Sequence, residues 1–195
     1  SASRLRFDED HATFAVVPRP PFAYRASARS RSVFTRIPAR GEGFLATRGA
    51  YTTDDFRFYA LWWEQAAVAV THGEKEHGFV PLAKGGAWAP YYADVYLAIR
   101  WGRAGAEAKA FLSDYRERKG WGTDWSACLN GHDHYLRPGV TWSRRTQGGL
   151  SFRAMPSGAI FADKGPAVFA AGNGSLELLA LMSVLNSRAF RALVD

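Results

Sequence analysis

The chain has 195 residues, of which 47% are hydrophobic and 14% aromatic. This composition is sufficient to form the core of one domain, with at most a small appendage, and it excludes an intrinsically disordered chain. Lys and Arg number 25 against 18 Asp and Glu, so the formal net charge is +7. A basic excess favours a polyanionic partner, most often nucleic acid.

Cys128 is the single cysteine of the sequence. An intrachain disulfide is therefore excluded, which is consistent with a reducing cytoplasm. The longest apolar-rich stretch, residues 176–185, is too short to span a bilayer, and no apolar signal-peptide core follows the N-terminal basic residues. We expect a cytoplasmic protein without a membrane partner. Because the chain begins at Ser1 rather than at Met, we also expect it to be a piece of a longer protein.

Short strands and a few helices are predicted along the chain, with long loops between them. This order predicts an α+β fold with a twisted mixed β-sheet and peripheral helices. The predicted strands are residues 8–17, 44–47, 79–82, 95–101, 140–145, 150–153, 159–162 and 167–170, and the helices are 28–35 after Ser27, 104–118, and 176–194 after Ser175.

The stretch at residues 46–64 organises the rest of the sequence. A glycine loop, two hydroxyls and two carboxylates precede an aromatic block, in which Arg57 is predicted to be buried. We expect residues 56–63 to form a helical turn and then a half-buried strand. Residues 84–88 and 139–145 repeat the combination of glycine, cation and tryptophan. Aromatic residues interleaved with cations and glycine turns are typical of a nucleic-acid-binding surface.

The histidines are the residues that a metal site would use. His72 and His77 flank a polar turn, and His132 and His134 lie in a glycine-led loop. Neither pair has a second pair nearby in sequence, and a closed zinc site needs about four ligands. We therefore predict no metal site, and we expect the loop histidines to form hydrogen bonds or to contact phosphate.

Two short motifs resemble parts of methyltransferases but lack the residues that carry the chemistry. Residues 19–22 follow the Asn/Asp-Pro-Pro-aromatic pattern of amino-methyltransferases, but Arg19 supplies no acceptor for the target amine. Residues 168–174 have the outline of the loop that binds S-adenosylmethionine in methyltransferases, but they lack the acidic residue expected at the strand end. No nucleophile–base pair or carboxylate pair has persuasive spacing. We predict no catalytic residues and no cofactor in this chain.

Several motifs, in order from about residue 14 to residue 190, resemble the target-recognition region of adenine-specific DNA methyltransferases. The family is that of the type IIG restriction-modification enzymes and of PglX in BREX and phage-growth-limitation systems. Here the motifs are PRPPFAY at 18–24, GAYTTDDFRF at 49–58, WWE at 62–64, PLAKGG at 81–86, YY at 91–92, GVTWS at 139–143, Arg153 with PSG at 156–158, and LNSR at 185–188.

The resemblance implies a DNA-recognition domain of a phage-defence or restriction-modification enzyme. Residues 1–40 would lead in from an upstream methyltransferase domain, residues 41–174 would recognise the target, and residues 175–195 would form a helix packed on that domain. The partner would be double-stranded DNA, and S-adenosylmethionine would be the cofactor of the parent enzyme only. The expected DNA contacts are Thr52, Thr53, Arg57, Lys84, Arg144, Arg145 and Arg153.

Two departures from the family and two alternatives qualify this prediction. Thr53 stands where the family has Gly, and Asp55 where it has Asn, which alters the loop backbone. Arg57 and Trp63 alternatively pack the domain, in which case base contacts would lie between the motifs, for example in residues 120–137.

The second hypothesis for the chain is a protein-interaction module of a phage-defence complex. On the strand predicted at residues 140–145, alternation favours Arg145 as the exposed member of the Arg144–Arg145 pair.

Overall fold

The computed structural model describes residues 10, 12, 15, 27–36, 43–65, 78–172 and 174–194. The chain separates into two compact units, Ser1–Glu42 with Ala192–Asp195, and Gly43–Arg191. Helices and strands are mixed along the chain, and the predicted α+β class is confirmed. The elements are α1 (Ala28–Arg36), β1 (Phe44–Thr47), α2 (Asp55–Phe58), β2 (Tyr59–Leu61), β3 (Phe79–Ala83), β4 (Leu97–Arg100), α3 (Gly102–Arg118), β5 (Gly139–Trp142), β6 (Phe152–Met155), β7 (Ile160–Phe161), β8 (Ala167–Ala170), α4 (Ser175–Leu185) and α5 (Arg188–Val194).

The strands of the described residues form two sheets rather than the one mixed sheet that the sequence predicts. The first has the order β1-β8-β5-β6, and all of its pairs are antiparallel. The second has the order β2-β4-β3-β7 and is mixed, because β3 and β7 run parallel. The predicted hairpin is confirmed as β5 and β6.

The turn between β7 and β8, residues 162–166, joins the two sheets. β7 pairs in parallel with β3, with Leu82 opposite Ile160, so the carboxyl ends of both strands lie at the same edge. β8 pairs antiparallel with β5, with Thr141 opposite Ala167. The start of β8 therefore lies beside the end of β5. As a consequence, the loops that follow β3, β5 and β7 meet at one place.

The main core lies between these elements, and a smaller one lies under α4. Phe58, Leu112, Leu129 and Phe161 are fully buried in the main core. Burying an aliphatic or aromatic side chain of this size contributes about 1.5–3 kcal/mol. The smaller core packs α4 on β5, β6 and β8 through Val140, Phe152, Val168, Ala170, Leu178 and Met182.

The aromatic block has the predicted elements, and β2 is half-buried as predicted, but the aromatic residues on either side of residues 58–61 are more exposed than the sequence suggests. α2 and then β2 confirm the helical turn followed by a strand. Phe56 is fully exposed, however, and Trp62 and Trp63 are each more than half exposed. The physical reason is that β2 is an edge strand, after which a 3₁₀ turn at Trp62–Glu64 carries the chain out of the sheet.

The C-terminal helix predicted at residues 176–194 is two helices, α4 and α5, with a break after Leu185. Asn186 occupies the break. Its Oδ1 accepts from Phe152 N at 3.0 Å, and its Nδ2 donates to Phe152 O at 2.7 Å and to Met182 O at 3.0 Å. The side chain thus completes the outer edge of β6 and ends α4. Ser175 is not the cap, because Gly174 precedes α4 without a side-chain cap.

Other differences concern element ends. α3 has left-handed backbone at residues 103–105 before its regular part, and β4 and β5 are shorter than predicted.

The predicted strand at 8–17 lies largely outside the described residues, and residues 19–22, His72 and His77 lie wholly outside them. Among the helices of the described ranges, none is long and apolar enough to cross a membrane.

We expect Asn186→Ala to lower the free energy of unfolding by about 1–2 kcal/mol, because the N–H of Phe152 loses its acceptor at a partly buried edge, whereas its C=O still accepts from Tyr91 N at 2.8 Å. Thermal and urea unfolding measure this loss. Ser187→Ala is a matched control at the neighbouring position, and it should be milder because its hydroxyl accepts from one backbone N–H, that of Phe190. Equal stability of Asn186→Ala and the parent would contradict this account of the helix break.

Candidate functional site

The three loops that meet beside the β7–β8 turn enclose an open cleft of about 740 Å³. Among the described residues, four cationic side chains and one carboxylate line it, together with the exposed ring of Tyr51. A concave surface with this excess of positive charge attracts anions and concentrates the field in the cleft. The lining residues are Tyr51, Lys84, Gly86, Ser143, Arg144, Arg145, Asp163 and Lys164.

Lys84 enters the cleft directly after β3. Its Nζ pairs with Asp55 Oδ2 and lies 4.5 Å from the ring centroid of Tyr59. Thr52 is fully buried, and its hydroxyl donates to Asp55 Oδ1 at 3.1 Å. Burial raises the pKa of Tyr59 to about 12, against the lowering effect of its hydrogen bond with Thr52. Thr52 therefore fixes the carboxylate that holds Lys84, and its own side chain does not reach the surface.

Arg144 and Arg145 differ in their partners. β5 ends at Trp142, so both arginines lie beyond the strand and strand alternation does not decide their directions. Arg144 Nη1 is 2.8 Å from both oxygens of Asp163, and its backbone N donates to Lys164 O at 3.0 Å. Arg145 is exposed, and within the described ranges it has no hydrogen bond or ion pair. Arg144 is thus held in place, whereas Arg145 can contact a ligand.

Glycine residues allow the loop after β3 and the β7–β8 turn to pack closely against each other. A Cβ on Gly165 would lie 2.6 Å from Gly85 N, and a Cβ on Gly85 would lie 2.7 Å from Lys164 O. Gly85 also has a φ of +89°, which favours glycine. The loop after β3 therefore packs backbone against backbone on the β7–β8 turn.

Arg153 lies beneath the cleft rather than in it, with 4% of its surface exposed. Its Nη2 donates to Ser143 Oγ at 2.7 Å and its Nη1 to Ala87 O at 3.1 Å. Burial lowers the pKa of the guanidinium, and in the part of the chain that is described no carboxylate lies within ion-pair distance of it. In this conformation Arg153 supports two loops and is not available to a surface ligand.

Arg57 lies outside the cleft and is not buried, contrary to the sequence prediction. Its side chain is 45% exposed. Nε and Nη2 donate to Glu107 Oε1 at 3.2 and 3.0 Å, and the guanidinium lies 4.7 Å from the Phe111 ring centroid. The hydrogen bond from Arg57 lowers the pKa of Glu107. These contacts tie α2 to α3, which agrees with the alternative that Arg57 packs the domain.

Thr53 occupies a strained position next to Thr52. Its φ is +62°, a conformation that a β-branched residue rarely adopts and that glycine adopts readily. Its hydroxyl is buried without a hydrogen-bond partner among the described residues. Glycine, which the resemblance implies at this position, would take the same backbone angle without strain.

Sequence reasoning missed Tyr51, Asp163 and Lys164, which the fold brings to the cleft. A signal was available for Asp163 and Lys164, because residues 163–166 form a polar turn between two predicted strands. The loop at 120–137 contributes no lining residue to the cleft. His132 and His134 lie on one 3₁₀ turn, and no group of three possible metal ligands occurs in the described part of the chain.

We expect Thr53→Gly to raise the free energy of unfolding by about 1 kcal/mol, because relief of the left-handed strain outweighs the greater chain entropy of glycine. Urea unfolding measures the change. Thr53→Ala is the control, since it removes the unpartnered hydroxyl but keeps the Cβ that causes the strain. A glycine variant less stable than the alanine variant would contradict the strain at residue 53.

Comparison with known proteins gives two relatives, while no family model matches the chain. It is 25% identical over 177 residues to the adenine-specific methyltransferase BrxX of Escherichia coli O9:H4 (strain HS), covering 90% of this chain and 13% of that protein. It is 26% identical over 189 residues to the adenine-specific methyltransferase PglX of Lacticaseibacillus casei (strain Zhang), covering 93% and 15%. Over nearly its whole length, the chain is therefore similar to a small part of adenine-specific methyltransferases.

Proposed function

We propose that Gly43–Arg191 is a DNA-recognition domain of an adenine-specific methyltransferase and that its basic cleft holds the DNA backbone. The observation that carries this proposal is the convergence of Lys84, Arg144, Arg145 and Lys164 on one open cleft. Phosphate oxygens accept most protein–DNA hydrogen bonds, largely from Arg and Lys, and these contacts set the position of the protein on the duplex.

The four cations have different tasks in this proposal. Lys84 and Arg144 are paired with Asp55 and Asp163, so their positions are fixed before a ligand arrives and their charges are partly neutralised. Arg145 and Lys164 are exposed and form no ion pair with any described residue. These two supply most of the attraction for phosphate. Thr52 and Arg153 support the cleft from below, and Arg57 contributes to stability rather than to binding.

The activity of the whole protein is part of the proposal, because the chain spans 13% and 15% of the two relatives. We propose that methyl transfer, with S-adenosylmethionine, takes place on another domain of a longer phage-defence polypeptide. Gly172 and Gly174 do not fit that cofactor. They follow β8, which is antiparallel to both of its neighbours, whereas nucleotide-binding glycine loops of α/β proteins follow strands of parallel sheets.

A second candidate is a protein-interaction module. Phe56, Trp62 and Trp63 support it, because they are exposed and lie near the edge strand β2 rather than in the cleft lining. Salt dependence separates the two functions, since phosphate contacts lose affinity steeply as salt rises.

We expect the chain to bind duplex DNA with a Kd of roughly 10⁻⁴ to 10⁻⁶ M at physiological salt. Arg145→Ala should weaken binding evenly across sequences and make the salt slope shallower by about one phosphate contact, with unchanged melting. Fluorescence anisotropy with labelled duplex at several salt concentrations gives both quantities.

Arg57→Ala is the matched control, because it removes the same charge from an exposed site outside the cleft. It should lower the melting temperature and leave the salt slope unchanged. Equal losses of affinity for Arg57→Ala and Arg145→Ala would show that net charge, not the cleft, binds the DNA. An absence of binding even at low salt would reject DNA recognition in favour of the protein-interaction module.

A further inference from the structure

Residues 86–89 form a surface loop that buried polar side chains hold in place. Gly86 N donates to Ser143 Oγ at 2.9 Å, and Ser143 Oγ donates to Gly86 O at 2.8 Å. Arg153 Nη1 donates to Ala87 O, and Ala89 N donates to Ser151 Oγ, both at 3.1 Å. Ser143, Ser151 and Arg153 are all buried. Each backbone position from 86 to 89 except that of Trp88 thus has a contact with one of these side chains.

The Ser143 hydroxyl uses its full hydrogen-bonding capacity in this arrangement. A hydroxyl has one donor and two acceptor positions. Here it donates to Gly86 O and accepts from Gly86 N and from Arg153 Nη2. Burying a guanidinium costs free energy unless it is well hydrogen-bonded. The interior therefore specifies the course of this exposed loop more closely than is usual for a surface segment.

The side chain that this loop presents is Trp88, which is 48% exposed. The Cβ of Trp88 lies against the loop that follows Arg145, because a Cβ built on Gly148 would lie 3.1 Å from it. Gly86, two residues before Trp88, lines the basic cleft, as do Ser143 and Arg145. Trp88 is not itself a lining residue, but it lies at the rim of the cleft, beside residues that line it.

We propose that Trp88 stacks on an unpaired nucleobase while the cleft cations hold the neighbouring phosphates, and that Ser143 and Arg153 are positioning residues for Trp88. An aromatic ring beside a cationic groove is the arrangement that proteins use for unpaired nucleic acid, because every base has a stacking face. The fixed loop favours this contact, since little conformational freedom remains to be lost on binding. The inference rests on the proposed function of the cleft and adds the base contact to it.

The test compares a fully paired duplex with the same duplex carrying one bulged base. We expect the parent chain to bind the bulged duplex about tenfold more tightly, a difference on the order of one base–aromatic stack. Trp88→Leu should abolish this preference while the salt slope and the melting temperature stay unchanged. Trp121→Leu is the matched control, because Trp121 is similarly exposed but belongs to the loop at 120–137, none of whose residues lines the cleft, and it should keep the preference.

Ser143→Ala tests the positioning role. It should lose most of the preference for the bulged duplex but retain the salt slope, and the quenching of tryptophan fluorescence by the bulged duplex should fall towards that of Trp88→Leu. A general loss of stability would instead lower binding to both duplexes together, which would overturn the positioning role.

A parent chain that binds both duplexes equally, with a salt slope that Arg145→Ala reduces, would overturn the base contact and leave the proposed cleft function intact. If Trp88→Leu keeps the preference for the bulged duplex, the role of Trp88 is overturned and the proposed function of the cleft again stays intact. Binding to neither duplex at low salt would overturn both proposals.

Discussion

The arrangement of the cleft depends on the close approach of the β7–β8 turn to the loop after β3. Gly165 and Gly85 lie so near each other that neither position has room for a Cβ. This contact joins the two sheets at the point where the chain crosses from one to the other. It also brings Lys84, Asp163 and Lys164 together, although β3 and the turn are about 80 residues apart in the sequence. Parallel pairing of β3 with β7 is what makes the approach possible, because it places both strand ends on one side.

Ion pairing divides the four cations of the cleft into two that a carboxylate holds in place and two that have no ion pair with a described residue. The carboxylates of Asp55 and Asp163 orient Lys84 and Arg144, and without those partners four like charges in one cleft would repel each other. Both pairs are partly open to solvent, and ion pairs screened by solvent contribute little stability, typically about 0–1 kcal/mol. Their main consequence is geometric, since they hold Lys84 and Arg144 in place and leave Arg145 and Lys164 as the exposed cations of the cleft without an ion pair among the described residues.

Buried polar side chains beneath the cleft also hold its loops in place. Thr52, Ser143 and Arg153 are buried, and all three bond to residues that line or border the cleft rather than to solvent. Loss of the Ser143 or the Arg153 side chain would leave the buried polar group of the other without this hydrogen bond, which costs more than a hydrogen bond contributes. Their positions in the family-like motifs are therefore explained by support of the loops, and Thr53 shows the same constraint through its backbone angle.

The sequence by itself determined the α+β class, most of the strands, the β5–β6 hairpin, the helical turn before β2, and the likeness to adenine-specific methyltransferases. These follow from local periodicity, turn residues and ordered motifs, which are properties of neighbouring residues. Three of the predicted contacts, Lys84, Arg144 and Arg145, do line one cleft. The division into two sheets, the burial of Thr52 and Arg153, the pairing of Arg57 with Glu107 and the exposure of Trp62 and Trp63 were decided by tertiary structure. The physical reason is that each depends on a partner far away in the chain or on the place of a strand within its sheet, and a local pattern carries no information about either.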